Sequence, residues 1–575
     1  MISKIQSGSI DKIKNNTPQN VKKNGDSNIH FNGLGELALR GIQLCEQHPM
    51  INVSVLDCTT AIFPRTFFET FIGSKKKDEN GQPQKRKLNI FGGFEAFRRE
   101  SSGLFINCLI PSFVVVAVAK LFNKPVMGGF NKSNLTNSWA NSESIDKIQK
   151  YYMEAKGSNN AERIYSTLDM MIHDISGADG SKTKVFADVI SSDKDGYRTI
   201  LQDTVKNIVE GVNHSKENQG LWHKFKNIFS SGHDYTENLY NYLVSKTCVA
   251  ENIKFKGDKG YSTSSLKHML TSAGDMLHGL VKEGITDNDT LASKYFSKAK
   301  RLVNTKSAVG LLGIIIPLAL SAQPINRWIT HKLSGHEGAP IYNDDKERIL
   351  TPSEKKKLNI EKCFAVPLMW GVAGLSMLMD RPSLKMFQFK GLFPTMDQAR
   401  IISAMTFSSR IATSEDSNEL QENTIRDIAT FCSFYFLGDY AAKGIATFLE
   451  KKYPQVRLIN RLKDIDPNAG FLEKAWHWAK YTSMKSTDEL LAVENKSLKV
   501  LGKNLRAVCQ LGNLAFSLLA LGIFIPLYTR TQTNKKKQMQ LEQEALARAN
   551  VISFTNSLSR SPAFSSFSLG QNQKA

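Results

Sequence analysis

The sequence lacks the residue patterns that mark the common enzymes. It contains no GxSxG, HExxH, GxxxxGK[ST] or GxGxxG pattern. These would mark a serine hydrolase, a zinc protease, a phosphate-binding loop or a dinucleotide-binding turn. The sequence therefore nominates no catalytic, cofactor-binding or metal-binding residue, and we do not expect an enzyme.

Closely spaced cysteines are also missing. The seven cysteines form no CxxC motif, and four of them lie in or beside apolar segments: Cys108, Cys363, Cys432 and Cys509. Because a free cysteine behaves as a small apolar residue, we expect neither a disulfide framework nor a zinc site. The first 20 residues contain no apolar stretch typical of a signal peptide, so an internal segment would have to start any membrane insertion.

Acidic residues are too few to balance the basic ones. The chain has 75 Lys and Arg against 54 Asp and Glu, a net charge of +21, which predicts a polyanionic neighbour. The basic clusters lie near apolar runs, at 75–77, 85–87, 355–357 and 535–537. This arrangement favours anionic lipid headgroups as the partner, and nucleic acid is not the expected one.

Four long apolar runs carry no charge except Lys120. They cover 104–122, 308–322, 363–379 and 508–528. A helix needs roughly 20 mainly apolar residues to cross a bilayer, which the first, third and fourth runs provide. The second run needs its flank as far as Trp328. The runs therefore predict four transmembrane helices in an all-α, polytopic membrane protein.

Each of these runs contains a proline: Pro111, Pro317, Pro367 and Pro526. A proline inside a helix costs about 3 kcal/mol in water, whereas transmembrane helices tolerate it because neighbouring helices satisfy the freed backbone groups. The prolines thus favour membrane spans over buried helices of a soluble protein. The alternative is a soluble, basic helical protein that binds nucleic acid or anionic lipid.

A similar phrase occurs in two of the runs, as LGIIIPL at 312–318 and LGIFIPL at 521–527. The segments around the two phrases do not match, so the repeat does not by itself indicate a duplication. We interpret it as a shared physical role, namely a kinked span followed by polar anchoring residues.

A fifth candidate span, 428–449, contains Asp439 and Lys443. Their i, i+4 spacing places them on one face of a helix, where they can form an ion pair. In a soluble amphipathic helix this pair would lie on the surface. Inside a membrane such residues are costly and usually functional, which makes them the best candidate site residues in the chain.

The remaining segments show the 3,4-spacing of apolar residues typical of helices, with almost no strand signal. The segment 51–72 is ambiguous, as a strand or as an amphipathic helix broken at Pro64. The predicted organisation is a disordered basic tail (1–34), a cytoplasmic or interfacial segment (35–103), a span (104–122), a helical extramembrane domain (123–306), a span (308–328), a basic loop (329–362), a span (363–379), a helical segment (380–507), a span (508–528) and a basic, then Ser-rich disordered tail (529–575).

The basic residues near the spans predict which side of the membrane each tail and loop occupies. With four spans, both tails and the loop at 323–362 lie on the cytoplasmic side, together with all four basic clusters. The basic stretch 297–306 does not fit this arrangement. If 428–449 also crosses, the C-terminus moves to the other side.

Four shorter stretches carry local signals. Charged groups precede two candidate spans, at 98–100 and 422–427, and are expected to hold helix ends at the headgroups. The stretch AWHWAK at 475–480 is typical of an interfacial anchor. The stretch 191–202 resembles a calcium loop at its centre but lacks the carboxylates at its two ends, so we interpret it as a turn.

These observations leave two main hypotheses for function. The first is a non-enzymatic membrane scaffold that binds an unknown protein through 123–306. The second is a transporter, or a transport accessory, that uses Asp439 and Lys443 in a polar path.

Overall fold

The structure is a computed structural model that describes most of the chain between Pro49 and Ile525. The described residues are 49–71, 90–122, 138–211, 235–285, 288–334, 351–379, 387–391 and 394–525, with Gly41, Cys45, Leu88 and scattered positions from 527 to 554. The predicted tail 1–34 lies outside these residues, as does most of the predicted tail 529–575.

Helices make up nearly all of the described chain, which confirms the predicted all-α class. They are α1 (49–71), α2 (Ile90–Phe122), α3 (Ser142–Glu154), α4 (Asn160–His173), α5 (Phe186–Ser192), α6 (Lys194–Glu210), α7 (Glu237–Thr247), α8 (Leu266–Glu283), α9 (Asp289–Leu333), α10 (Pro352–Met379), α11 (Met396–Ala412), α12 (417–452), α13 (Phe471–Tyr481), α14 (Thr487–Leu491) and α15 (Lys496–Phe524). Strands β1 (Ile175–Asp179), β2 (Lys182–Val185) and β3 (Ile253–Phe255) form an antiparallel sheet in the order β2-β1-β3, and β4 (Ile459–Arg461) pairs with β5 (Thr482–Met484).

Several long helices widen into a π-helical segment that ends two residues before a proline. These are Cys58–Ile62 before Pro64, Phe105–Leu109 before Pro111, and Lys306–Ile315 before Pro317. Proline lacks an N–H and its ring clashes with the carbonyl four residues earlier, so a wider turn lets the helix continue. Residues 51–71 of the segment 51–72 are accordingly helical through Pro64, and both the strand and the predicted break are wrong.

Both copies of the repeated phrase, LGIIIPL and LGIFIPL, have this geometry. The first four residues of each phrase end a π-helical segment, which is Lys306–Ile315 in one case and Leu518–Phe524 in the other. Pro526 itself lies outside the described residues. The two phrases therefore share a local backbone conformation in which a π-helical segment precedes a proline.

Four of the helices are long and apolar enough to cross a membrane: Ile90–Phe122, Asp289–Leu333, Pro352–Leu378 and Lys496–Phe524. They contain the predicted apolar runs 104–122 and 308–322 and all but the last residues of the runs 363–379 and 508–528. The second run is short by itself, but it belongs to a helix of 45 residues, which is long enough to cross a bilayer. Only 17 to 39% of their most apolar stretches is buried.

Helix α11 lies at the centre of these helices, packed against α9, α10 and α12. Most of its side chains are buried, including those of Arg400, Ser403 and Arg410. The Ser403 and Tyr435 hydroxyls are 2.6 Å apart, and Thr406 Oγ1 donates to Asn107 Oδ1 of α2 at 3.2 Å. A polar helix thus occupies the interior of an apolar bundle, which consists of α1, α2, α9 from Lys306 onward, α10, α11, α12 and α15.

Residues 138–305 form a helical domain beside the bundle. The helices α3, α4, α6, α7 and α8 and the first part of α9 bury a common apolar core, with β1 and β3 along one edge. Side chains of Asn141, Asn159, Ser265 and Asn288 accept hydrogen bonds from backbone N–H groups at helix starts. Asn and Ser precede these helices because their side chains can accept hydrogen bonds from the free backbone N–H groups of the first turn.

A second segment, 453–495, docks on this domain. Its buried Glu489 accepts hydrogen bonds from the backbone N–H groups of Ala250 and Glu251, both at 3.0 Å, through Oε1. The Oε2 atom of Glu489 accepts hydrogen bonds from the Ser486 N–H at 3.0 Å and from Asn460 Nδ2 at 3.3 Å. Burial raises the pKa of Glu489, and these backbone donors oppose that shift. We call 138–305 together with 453–495 the platform.

The α11–α12 hairpin enters and leaves the bundle at the platform end. Just before α11, Gln388 Oε1 accepts a hydrogen bond from Ser142 Oγ of the platform at 2.8 Å. After α12, the chain continues directly into 453–495. Because α11 and α12 are the two legs of one hairpin, a crossing by α12 would include a crossing by α11 as well. The crossing of 428–449 and the side of the C-terminus stay predictions.

Replacing Glu489 with Gln should loosen the docking of 453–495. The one carbonyl oxygen of Gln can accept from only one of the two pairs of donors, and its NH2 group would face the other pair, which costs about 2 kcal/mol and corresponds to about 30-fold faster local exchange. Hydrogen–deuterium exchange at the amides of Ala250, Glu251 and Ser486 measures this opening. The matched control is Glu494→Gln, at an exposed position near the same segment. Unchanged exchange in Glu489→Gln would show that the docking does not depend on this carboxylate.

Candidate functional site

Charged side chains meet at the end of the bundle farthest from the platform. Helix α9 begins in the platform, and near its other end Arg327 pairs with Glu415 and Glu419 at the turn between α11 and α12. The carboxylate of Asp416 in the same turn accepts from the Asn418 and Glu419 N–H groups and so caps α12. This turn brings the far ends of α9, α11 and α12 together.

Arg410 of α11 is the centre of the ion network. Its Nη1 lies 2.9 Å from Asp427 Oδ1 of α12, and its Nη2 lies 3.6 Å from Glu100 Oε2 of α2. Arg426 Nε lies 3.4 Å from the same Asp427 oxygen, and Arg65 of α1 pairs with Glu100. The network therefore joins four helices that are distant in sequence.

A second set of contacts ties α2 to α9 at the same end. Arg98 Nη2 lies 2.6 Å from Glu95 Oε1 and 2.8 Å from Thr330 Oγ1. Arg98 Nη1 donates to Asn326 Oδ1 at 3.0 Å, and Asn326 Nδ2 donates to Ser102 Oγ at 2.7 Å. Together the two sets connect α1, α2, α9, α11 and α12.

Asp427 has spare hydrogen-bonding capacity in this network. Its side chain is 1% exposed, and its Oδ2 is buried without a hydrogen-bond partner among the described residues. Such an oxygen can accept a proton or a water molecule. Ionisable groups within an apolar bundle are costly and usually mark functional positions, which makes Arg410, Asp427 and Glu100 the candidate site.

The predicted pair Asp439 and Lys443 lies elsewhere, toward the platform end of α12. Asp439 is exposed and its Oδ1 is 3.5 Å from Asn513 Nδ2. Lys443 Nζ donates to the carbonyl of Ala479 at 2.9 Å and lies 5.5 Å from the Trp478 ring centroid. A functional role for the pair inside a membrane stays a prediction.

The span prolines do not form one site. Pro111 and Pro317 lie in stretches of α2 and α9 that pack on each other, and Pro367 lies inside α10. Their observed effect is local, because π-helical segments precede the first two.

Asp193, in the stretch that resembles a calcium loop, caps α6 through the Gly196 N–H at 3.3 Å and lies 2.9 Å from Lys246 Nζ.

Sequence reasoning found the two ends of the network but not their connection. The groups at 98–100 and 422–427 were interpreted as separate anchors of helix ends. Arg410 joins them, and no pattern singled it out. The available signal was the composition of 396–412, where Ser, Thr and Arg interrupt every face that the helix would offer to lipid.

No group of three or more His, Cys, Asp or Glu side chains that could hold a metal ion occurs among the residues that the structure describes. The chain matches no known family model, no curated protein and no solved structure. Its function is therefore argued from its own residues.

Replacing Asp427 with Asn should destabilise the bundle by about 3 kcal/mol, because it leaves Arg410 buried without its closest carboxylate. The double variant Asp427→Asn, Arg410→Gln should lose less than the sum of the single losses, since the two groups contact each other. Reaction of the buried Cys108 and Cys509 thiols with a maleimide during denaturation measures the loss.

The control for this series is Asp464→Asn, which makes the same chemical change at an exposed position of the platform. Additive losses in the double variant would show that Arg410 and Asp427 do not stabilise each other.

Proposed function

We propose that this protein is a multi-pass membrane protein that holds the platform on one side of a bilayer as a non-enzymatic scaffold. The observation that carries the membrane part is the low burial of its apolar helices. In a soluble protein, central apolar helices are enclosed by others, but here at most 39% of each most apolar stretch is buried. Phe113, Phe364 and Leu375 are 57%, 75% and 63% exposed, and lipid is the solvent that suits them.

The scaffold part is supported by the way the platform is built. Two segments separated by four bundle helices dock through Glu489, and Tyr240 Oη donates to Asp488 Oδ2 at 2.6 Å. The two segments of the platform can therefore stay docked only if the bundle holds both of them on the same side of the bilayer. The proposed partner is a protein that binds this surface. The platform faces away from the cytoplasm, and both chain tails lie in the cytoplasm.

Labelling with a membrane-impermeant maleimide tests this arrangement in sealed vesicles of known orientation. Ser245→Cys and Lys463→Cys lie in the two halves of the platform, so they should react from the same side. Lys332→Cys, at the far end of α9, should react only from the other side. Each signal is read above the wild-type background. Reaction of the two platform positions from opposite sides would contradict the arrangement.

A second candidate is transport, which the buried polar helix α11 favours. Proton and chloride flux into liposomes that contain the purified protein separates the two functions. A scaffold should give no flux above that of protein-free liposomes, and Asp439→Asn should change nothing. Flux that the wild type and the matched control Asp464→Asn carry and that Asp439→Asn abolishes would favour transport.

A further inference from the structure

Helix α13 lies against the platform end of α12. Trp478 Nε1 donates to Thr447 Oγ1 at 3.2 Å, and the Trp478 ring lies 6.1 Å from that of Tyr440. Lys443 Nζ donates to the carbonyl of Ala479 at 2.9 Å. These contacts fix one side of α13 beside the bundle.

The surface of α13 next to this contact presents large apolar side chains. Phe471 is 84% exposed, Leu472 81% and Trp476 52%, and no residue of this helix is buried. At 100° per residue these three side chains and Ala475 share one face. An exposed apolar face of this kind marks an interaction surface.

Two features identify the partner as a lipid bilayer. Phe448 of α12 is 65% exposed and follows Thr447, the residue that accepts the hydrogen bond from Trp478, so an exposed apolar side chain of the bundle lies next to the residue that contacts α13. Lysines border this face: Lys480 Nζ lies 5.9 Å from the Trp476 ring, and Lys463 Nζ lies 5.3 Å from the Tyr481 ring. Aromatic rings beside lysines suit the headgroup region of a membrane.

We propose that α13 is a membrane-surface helix, with Phe471, Leu472 and Trp476 in the acyl boundary of the leaflet beside the platform and Lys474 and Lys480 among anionic headgroups. This inference rests on the proposed membrane insertion of the bundle. It adds an attachment point through which the platform is held against the bilayer, in addition to the spans.

The full chain, reconstituted in vesicles, tests the proposal with a fluorescent NBD label on a genetically encoded azidophenylalanine, which avoids the seven native cysteines. The label replaces Leu472 in one protein and Glu473, which lies outside the apolar face, in the matched control. Lipids with a doxyl quencher near the headgroup should quench the label at 472 several-fold more strongly than at 473. Aqueous iodide should show the reverse order.

A third label at Phe113, on the outer surface of α2, separates this proposal from the proposed function. Because residue 113 lies in the middle of the run 104–122, this label is read with lipids that carry the doxyl group deep in the acyl chain. Quenching at 113 by these lipids without quenching at 472 by the headgroup-level quencher overturns the surface helix alone, whereas no quenching at 113 overturns membrane insertion. A label at 472 that neither quencher reaches shows that protein covers this face, which also overturns the proposal.

The charge part is tested with the same labels in vesicles with and without anionic lipid. Quenching at 472 should be stronger with anionic lipid, and Lys474→Gln with Lys480→Gln should remove that difference. Equal quenching in both vesicles for the wild type would overturn the role of the two lysines.

Discussion

The outer surfaces of four apolar helices are the constraint on which the remaining structure depends. Side chains such as Phe113, Phe364 and Phe524 are more exposed than buried, so these surfaces require a solvent other than water. In the proposed membrane insertion a bilayer supplies that solvent, and every backbone group inside it then has to find a partner within the protein. The π-helical segments before Pro64, Pro111 and Pro317 meet this requirement while each helix continues past its proline.

The same constraint explains the division of polar residues. Because the outer helices offer apolar side chains to lipid, the polar side chains of α11 lie inside, where Tyr435 and Asn107 are their partners. At the far end, Arg410 connects Glu100 and Asp427, and at the other end Glu489 joins the two halves of the platform. Ion pairs at one end and buried hydrogen bonds at the other thus hold the helices in register, and the apolar surfaces in between need no specific partner.

Much of the fold could be predicted from the sequence, because apolar runs and 3,4-spacing report directly on helices and on their surroundings. The four long helices are confirmed, and α11 and α12 lie within the segment 380–507 that was predicted to be helical. The segment 51–72 was ambiguous because β-branched residues suit strands, and only its packing on α2 and α15 makes it helical. The ion network could not be predicted, since Glu100 and Arg410 are brought together by helix packing, on which spacing along the chain carries no information.

The most direct test of membrane insertion is extraction of membranes from cells that express the full chain. Alkaline carbonate releases proteins held by surface charge and leaves those with helices in the bilayer. The structure predicts that the protein stays in the pellet and is released only by detergent. A protein that moves to the supernatant and remains monodisperse there without detergent would contradict this account, because its apolar helices would then be stable in water.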